Sequence, residues 1–343
     1  MSLPIRIPFA PMEALLVDAI PEGDRWQYEP KWDGFRCLIF RDGARVNLQS
    51  KSGQPLTRYF PEMVEAAQKL NATRFVLDGE LVIPAGQHLS FNQLLMRIHP
   101  AESRVRKLAA ANPALFIAFD LLVGPDGKSL VKTELRQRRV ALEAFAKTEF
   151  PNAKQNLRLS PATTHFKQAQ KWFGQVGVDL DGLIAKRIDL PYLSGERTGM
   201  QKIKRMRTAD CVVGGFRYAA KKKVVGSLLL GLYGDDGLLH HIGFCSGLKT
   251  KERKELLKKL TPHIKPPGFT GSAPGGPSRW SAGRSTEWQP LEPVFVVEVS
   301  YDHFTDGRFR HGTRFIRWRP DKAPKQCRMD QVAASGKGLL ELI

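Results

Sequence analysis

The sequence predicts an α+β chain of two domains, an antiparallel-sheet domain followed by a small β-barrel. Three observations carry this expectation. The 343 residues exceed the usual size of one domain. Strand-like and helix-like segments mix up to residue 207 without repeated strand-helix-strand units. Beyond that point the chain is mostly strand, about five strands with one helix, which suits a small closed sheet.

Residues 26–49 alternate in polarity and carry turn signals at Asp33-Gly34 and Asp42-Gly43, so they read as strands joined by hairpins. Residues 61–70 read as a helix, and residues 74–83 as a buried strand holding Asp78 and Glu80. Helices are expected at 91–98 and 133–147, the second capped by Thr133. Strands are expected at 115–122, 156–159, 182–187 and 201–205. After Arg207, strands fall at 210–217, 224–233 and 237–244, separated by lysines or by a Gly-Asp-Asp-Gly turn. A charged helix follows at 250–260, then a Pro/Gly/Ser-rich loop at 262–290 and strands at 293–301 and 314–319. This second set reads as a barrel of the oligonucleotide-binding (OB) kind.

Net charge is +19. Residues 1–200 hold 27 Lys+Arg against 21 Asp+Glu, whereas residues 201–343 hold 26 against 13. The shorter C-terminal part therefore carries most of the excess, which points to a polyanionic partner such as nucleic acid. The four cysteines form no CxxC pair, so neither a zinc site nor a disulfide framework is implied, and a reducing compartment fits. No stretch approaches the apolar length of a membrane span. A soluble intracellular protein is expected.

The chemistry centres on Lys31, in Glu29-Pro30-Lys31-Trp32-Asp33-Gly34. A lysine becomes nucleophilic when burial or neighbouring cations disfavour its charged form. Lys202 and Lys204 are candidate neighbours, and they suit phosphate oxygens as well. The bland reading is a surface lysine ahead of a turn. Asp78, Glu80 and Asp181 lie in or beside apolar runs, where a carboxylate needs a partner, a hydrogen bond or a metal. Glu80 or Asp181 suits Mg²⁺, although Asp-Gly also makes ordinary hairpin turns. Phe116 and Phe119 face opposite sides of one strand, so one belongs to the core and the other is free to stack on a base. Arg317 and Arg319 share a strand face and suit phosphate, or else line a solvated basic strand. Gly124 to Ser129 and Ser335 to Gly338 resemble phosphate loops but are too short.

Taken in order, Lys31-Trp32-Asp33-Gly34, Asp78-Gly79-Glu80, Asp181-Gly182 with Lys186, Lys202-Ile203-Lys204 and Arg314 to Lys322 resemble the covalent nucleotidyltransferases. Within that superfamily they resemble the ATP-dependent DNA ligases, most of all the short bacterial LigC-type repair ligases. The likeness runs from about residue 10 to about 330. It implies a nucleotidyltransferase (adenylation) domain over 1–206 and an OB-fold DNA-binding domain over 207–343, hinged near residue 207. No DNA-encircling, polymerase or nuclease domain is expected.

The resemblance also assigns roles. Lys31 takes AMP from ATP, assisted by Lys202, Lys204 and Arg36. Glu29 reads the adenine amino group, Phe119 stacks on the base, and Glu80 and Lys186 complete the nucleotide site. Arg317, Arg319 and Lys322 orient the pyrophosphate. Mg²⁺ or Mn²⁺ is held by Glu80 and Asp181. Arg36, Lys51, Lys221, Lys222 and Lys223 contact DNA. The implied partner is nicked duplex DNA, met by a monomer in the bacterial cytoplasm, with DNA-repair proteins as further candidate partners. The sequence departs from the family pattern at Asp181 (usually Glu), Lys51 (usually Arg) and Met200 (often Trp). An RNA ligase or capping-type nucleotidyltransferase stays open as an alternative, as does a non-catalytic nucleic-acid-binding module.

Overall fold

A computed structural model describes residues 3–86, 88–150, 156–175, 180–220, 222–275, 287–305 and 307–332. They fall into two compact units, one ending at Arg205 and the other beginning at Met206.

The first unit contains strands β1 (Leu15–Val17), β2 (Trp26–Trp32), β3 (Phe35–Asp42), β4 (Arg45–Ser50), β5 (Arg74–Val82), β6 (Pro84–Ala85), β7 (His88–Leu89), β8 (Leu115–Val123), β9 (Leu157–Leu159), β10 (Leu180–Arg187) and β11 (Met200–Ile203). Its helices are α1 (Pro61–Gln68), α2 (Phe91–Arg97), α3 (Glu102–Ala111), α4 (Leu135–Glu149) and α5 (Phe166–Gln175). Two main sheets run in the orders β1-β11-β10-β2 and β4-β3-β5-β8-β9. Leu38, Phe40, Val76, Leu122 and Met200 form a core shared by the two.

Three expectations need correction. The sheets are mixed, not purely antiparallel, because β1 pairs parallel with β11 and β8 pairs parallel with β9. The second pairing has a clear cause: α4 provides the crossover that parallel neighbours require. Asp33-Gly34 is not a hairpin turn, since β2 and β3 belong to different sheets and the chain changes sheet there. Thr133 does not cap α4; Glu134 holds that position without a side-chain bond, and Arg138 Nη1 donates to the Thr133 carbonyl at 2.6 Å. Helices α3 and α5 add to the expected elements. The periodicity of α5 was readable, with Phe166, Ala169, Trp172 and Phe173 facing one core.

The second unit contains β12 (Arg207–Ala219), β13 (Lys222–Tyr233), β14 (Leu239–Cys245), β15 (Gln289–Pro290), β16 (Val296–Tyr301), β17 (Phe304–Thr305), β18 (Arg308–Phe309), β19 (Arg314–Trp318) and helix α6 (Arg253–Leu260). Its main sheet runs β14-β13-β12-β16-β19. The two outer strands approach each other where Cys245 bridges Thr313. Leu256 and Leu260 of α6 join the apolar interior. Part of the expected 262–290 loop, residues 276–286, lies outside the described residues. No helix among the described residues is long and apolar enough to cross a membrane.

His241 is buried in this unit, with Nε2 lacking a hydrogen-bond partner. Burial, with Arg308 and Arg217 nearby, pushes its imidazole down to about 4. An unfolded histidine titrates near about 6.5. Between these values the unfolded state binds the extra proton, so stability is complete above about pH 6.5 and falls as pH drops towards about 4. The expected loss is about 3 kcal/mol. Urea unfolding at about pH 7 and about pH 4.5 checks it, and in His241→Leu the pH-dependent drop should shrink by that amount.

Candidate active site

β2 alternates along its length. Gln27, Glu29 and Lys31 share one face, and Tyr28, Pro30 and Trp32 the other. Tyr28 packs on Phe166 of α5, with ring centroids 6.2 Å apart, and Trp32 Nε1 donates to Ser160 Oγ at 3.0 Å. Pro30 is tolerated because β2 is an edge strand. The apolar face thus anchors the strand and leaves the polar face for chemistry.

That polar face borders a cavity of about 690 Å³ whose walls come from both sheets. Glu29 and Lys31 of β2, Lys186 of β10 and Lys202 of β11 line one side. Arg36 of β3, Glu80 of β5, Phe119 of β8 and Lys51, just after β4, line the other. Phe116 is fully buried, whereas Phe119 falls at a register break between β5 and β8 and reaches the cavity. The two phenylalanines thus differ in place, Phe116 in the core and Phe119 at the cavity wall.

Lys31 Nζ donates to Asp181 Oδ2, and Lys204 Nζ lies 3.3 Å from Asp181 Oδ1. Asp181 gains this position from a register shift in the β10–β2 ladder between Leu180 and Gly182. Gly182 has φ +145°, and a Cβ there would lie 1.9 Å from the Ile203 carbonyl oxygen. Gly34 is needed for a different reason: a Cβ would stand 2.1 Å from the Leu81 carbonyl oxygen at the point where the chain changes sheet. Gly182→Ala should cost roughly 4 kcal/mol through backbone strain and overpacking, read as a fall in denaturation midpoint.

Burial holds the Lys202 ammonium below the usual lysine range, helped by the positive charges of Lys31, Lys51 and Lys204. Burial pushes the Glu80 carboxyl up to about 8, with Asp33 and Asp78 adding to the rise and Lys31 and Arg36 opposing it. Lys51 is exposed and pairs with Glu13 at 3.4 Å.

Arg36 is tied to Asp78, Nε to Oδ1 at 2.7 Å and Nη2 to Oδ2 at 2.6 Å. The Tyr192 hydroxyl also donates to Asp78 Oδ2, at 2.6 Å. This grip sets the guanidinium 4.8 Å from the Phe119 ring centroid. Lys186 Nζ lies 4.5 Å from the same centroid and pairs with Glu29 Oε2 at 2.8 Å. Asp120, the residue directly after Phe119, forms a further buried pair with Arg138 of α4. The sequence marks Asp78 as an acid among apolar neighbours that needs a partner, without naming Arg36 as that partner, and it offers no signal for Tyr192.

The second unit carries the remaining basic candidates. Asp210 and Glu298 are direct partners across β12 and β16. Arg317 Nε bonds Glu298 at 2.7 Å, Arg319 Nη1 bonds Asp210 at 2.8 Å, and Lys322 Nζ lies 3.4 Å from Asp210. Arg319 stands one residue past the end of β19. The acidic pair, absent from the sequence reading, gathers the three cations. Lys222 and Lys223 are exposed at the start of β13, and Lys221 lies outside the described residues.

The chain is similar to known proteins along most of its length. Residues 11–204 match the family "ATP dependent DNA ligase domain", and residues 221–322 match "ATP dependent DNA ligase C terminal region". DNA ligase C2 of Mycolicibacterium smegmatis is 44% identical, over 97% of this chain and 96% of the relative. DNA ligase C of Mycobacterium tuberculosis is 43% identical over the same shares. A solved structure titled as a study of Lig E DNA ligases has TM-score 0.57 at 17% identity, covers 91% of this chain and 100% of its own, and supports the fold alone. The matched regions span most of both units, and the chain belongs to the ATP-dependent DNA ligase family, as a short bacterial ligase of the LigC type.

Proposed function

We propose that this DNA ligase works through a covalent AMP on Lys31 and seals nicks in duplex DNA. The observation that carries the reading is Lys31 at the cavity wall, held by Asp181 and facing a site with an aromatic platform and several cations. In the first step Lys31 passes one proton towards Asp181 and attacks as the free amine: Nζ bonds to the α-phosphorus of ATP, the bond to pyrophosphate breaks, and the second proton on nitrogen leaves to solvent. The adenine stacks on Phe119 and offers its amino group to Glu29. Lys186 and Lys202 balance phosphate charge where it develops, as does Lys204. Arg317, Arg319 and Lys322 orient the departing pyrophosphate; paired guanidiniums suit that anion.

In the second step a nick 5′-phosphate oxygen attacks the same phosphorus, the P–N bond breaks and Lys31 regains a proton. In the third, the 3′-hydroxyl attacks the activated 5′-phosphate, a phosphodiester forms and AMP leaves. Glu80 and Asp181 would hold Mg²⁺ or Mn²⁺, which supplies positive charge against the phosphates when bound. Glu80 lines the cavity and Asp181 is held at its margin by Lys31 and Lys204, and Mg²⁺ needs only one or two carboxylates beside water and phosphate. The second unit is read as an OB-type barrel, a reading supported by its strand path and by the Cys245–Thr313 bridge. It supplies Lys222 and Lys223 to DNA, and the first unit supplies Arg36 and Lys51. Repair is the fitting context.

The test compares sealing of nicks whose 3′-hydroxyl strand is DNA or RNA, with ATP or GTP. Sealing of the DNA strand with ATP is expected. Preference for GTP or for an RNA strand would move the enzyme to the RNA-directed branch. Affinity for the nick should fall steeply between low and physiological salt, since phosphate contacts dominate it.

A further inference from the structure

Gln27 does not line the cavity, yet it sits on the same face of β2 as Glu29 and directly opposite Lys186 on β10. Its amide Nε2 donates to Glu29 Oε1 at 2.7 Å, while Lys186 Nζ holds Glu29 Oε2 at 2.8 Å. Lys186 is held in turn by the Phe119 carbonyl, at 3.3 Å. All three side chains are almost wholly buried, Gln27 at 5%, Glu29 at 2% and Lys186 at 5% exposure. Each carboxylate oxygen therefore has one fixed donor, and the carboxylate can neither rotate nor turn its charge elsewhere without stranding a partner. What it offers the cavity is acceptor capacity only.

We propose that Gln27 is a positioning residue for nucleobase selection: by fixing Glu29 as an oriented acceptor, it favours a purine with an amino group at position 6 over one with a carbonyl or hydrogen there. This rests on the proposed reading that Glu29 meets the adenine. The physical basis is asymmetric. A 6-amino group donates to the remaining acceptor capacity of the oriented carboxylate, whereas a 6-carbonyl brings two acceptors together against a buried negative charge, and a 6-hydrogen adds no bond. Without the amide, Glu29 keeps its charge partner but loses the bond that fixes Oε1.

The experiment measures kcat/KM for enzyme adenylylation with ATP, GTP and purine riboside triphosphate, which lacks the 6-amino group. It compares wild type with Gln27→Met, which keeps the volume and removes the donor, and with Gln27→Glu, which replaces the donor by an acceptor. The expected result is a preference for ATP over purine riboside triphosphate that shrinks about tenfold in Gln27→Met, through KM more than kcat, and further in Gln27→Glu. A merely structural role would lower all three substrates together and leave the ratios unchanged, which would overturn the proposal. Wild type that fails to distinguish ATP from purine riboside triphosphate would instead remove Glu29 as the base reader, leaving the adenylylation of Lys31 standing.

Discussion

Lys31→Ala is expected to abolish attachment of AMP to the protein, with ligation from ATP falling at least about 10⁴-fold. The reasoning is chemical. Lys31 is the cavity-wall amine paired with Asp181, and without it no P–N bond can form. The third step needs no amine nucleophile. The same variant should therefore still join a nick that already carries AMP on its 5′-phosphate. Gel assays with labelled ATP and with a pre-adenylated nick separate the two steps. Loss of both would mean that the substitution disrupts the site as a whole, and retention of the first would place the nucleophile elsewhere.

Asp78→Ala is expected to be strongly destabilising. Asp78 is fully buried and accepts three hydrogen bonds, two from Arg36 and one from Tyr192. Removing one member of a buried ion pair costs about 3–5 kcal/mol because the other charge is left without a partner. An exposed pair such as Arg106 with Glu102 is worth about 1 kcal/mol or less. The comparison decides which of the many ion pairs matters. Thermal unfolding should show a fall of roughly 10 °C for Asp78→Ala and almost none for Glu102→Ala. Arg36, freed from its grip, should also lose its place beside Phe119, so the KM for ATP should rise. A stable Asp78→Ala protein with unchanged KM would show that Arg36 is held by other means.

Much of this was legible in the sequence, for identifiable reasons. Strands β3, β5 and β8 are apolar runs with sharp punctuation, and their positions follow from composition and alternation. The same alternation in β2 put Lys31 and Glu29 on one face. What local pattern cannot give is the pairing of distant segments. Asp33-Gly34 has the composition of a hairpin turn, but the strands on either side found partners elsewhere, β10 for one and β4 and β5 for the other. Asp181-Gly182 likewise looks like a turn and is a displaced point inside a ladder, because that register brings Asp181 to Lys31. Parallel pairing of β8 with β9 depends on α4 serving as a crossover, and nothing in either strand announces it. The anchors Tyr192 and Gln27 are ordinary residues in sequence, and only tertiary contacts give them partners at the site.

The most direct test of the central claim is to incubate the purified protein with ATP and a divalent metal, digest it, and locate the nucleotide by peptide mass. Any AMP already attached is first stripped with pyrophosphate. The account predicts AMP on the peptide containing Lys31, attached through an acid-labile P–N bond and discharged when nicked duplex DNA is added. AMP on another residue, or no AMP on a folded protein that still binds DNA, would contradict it.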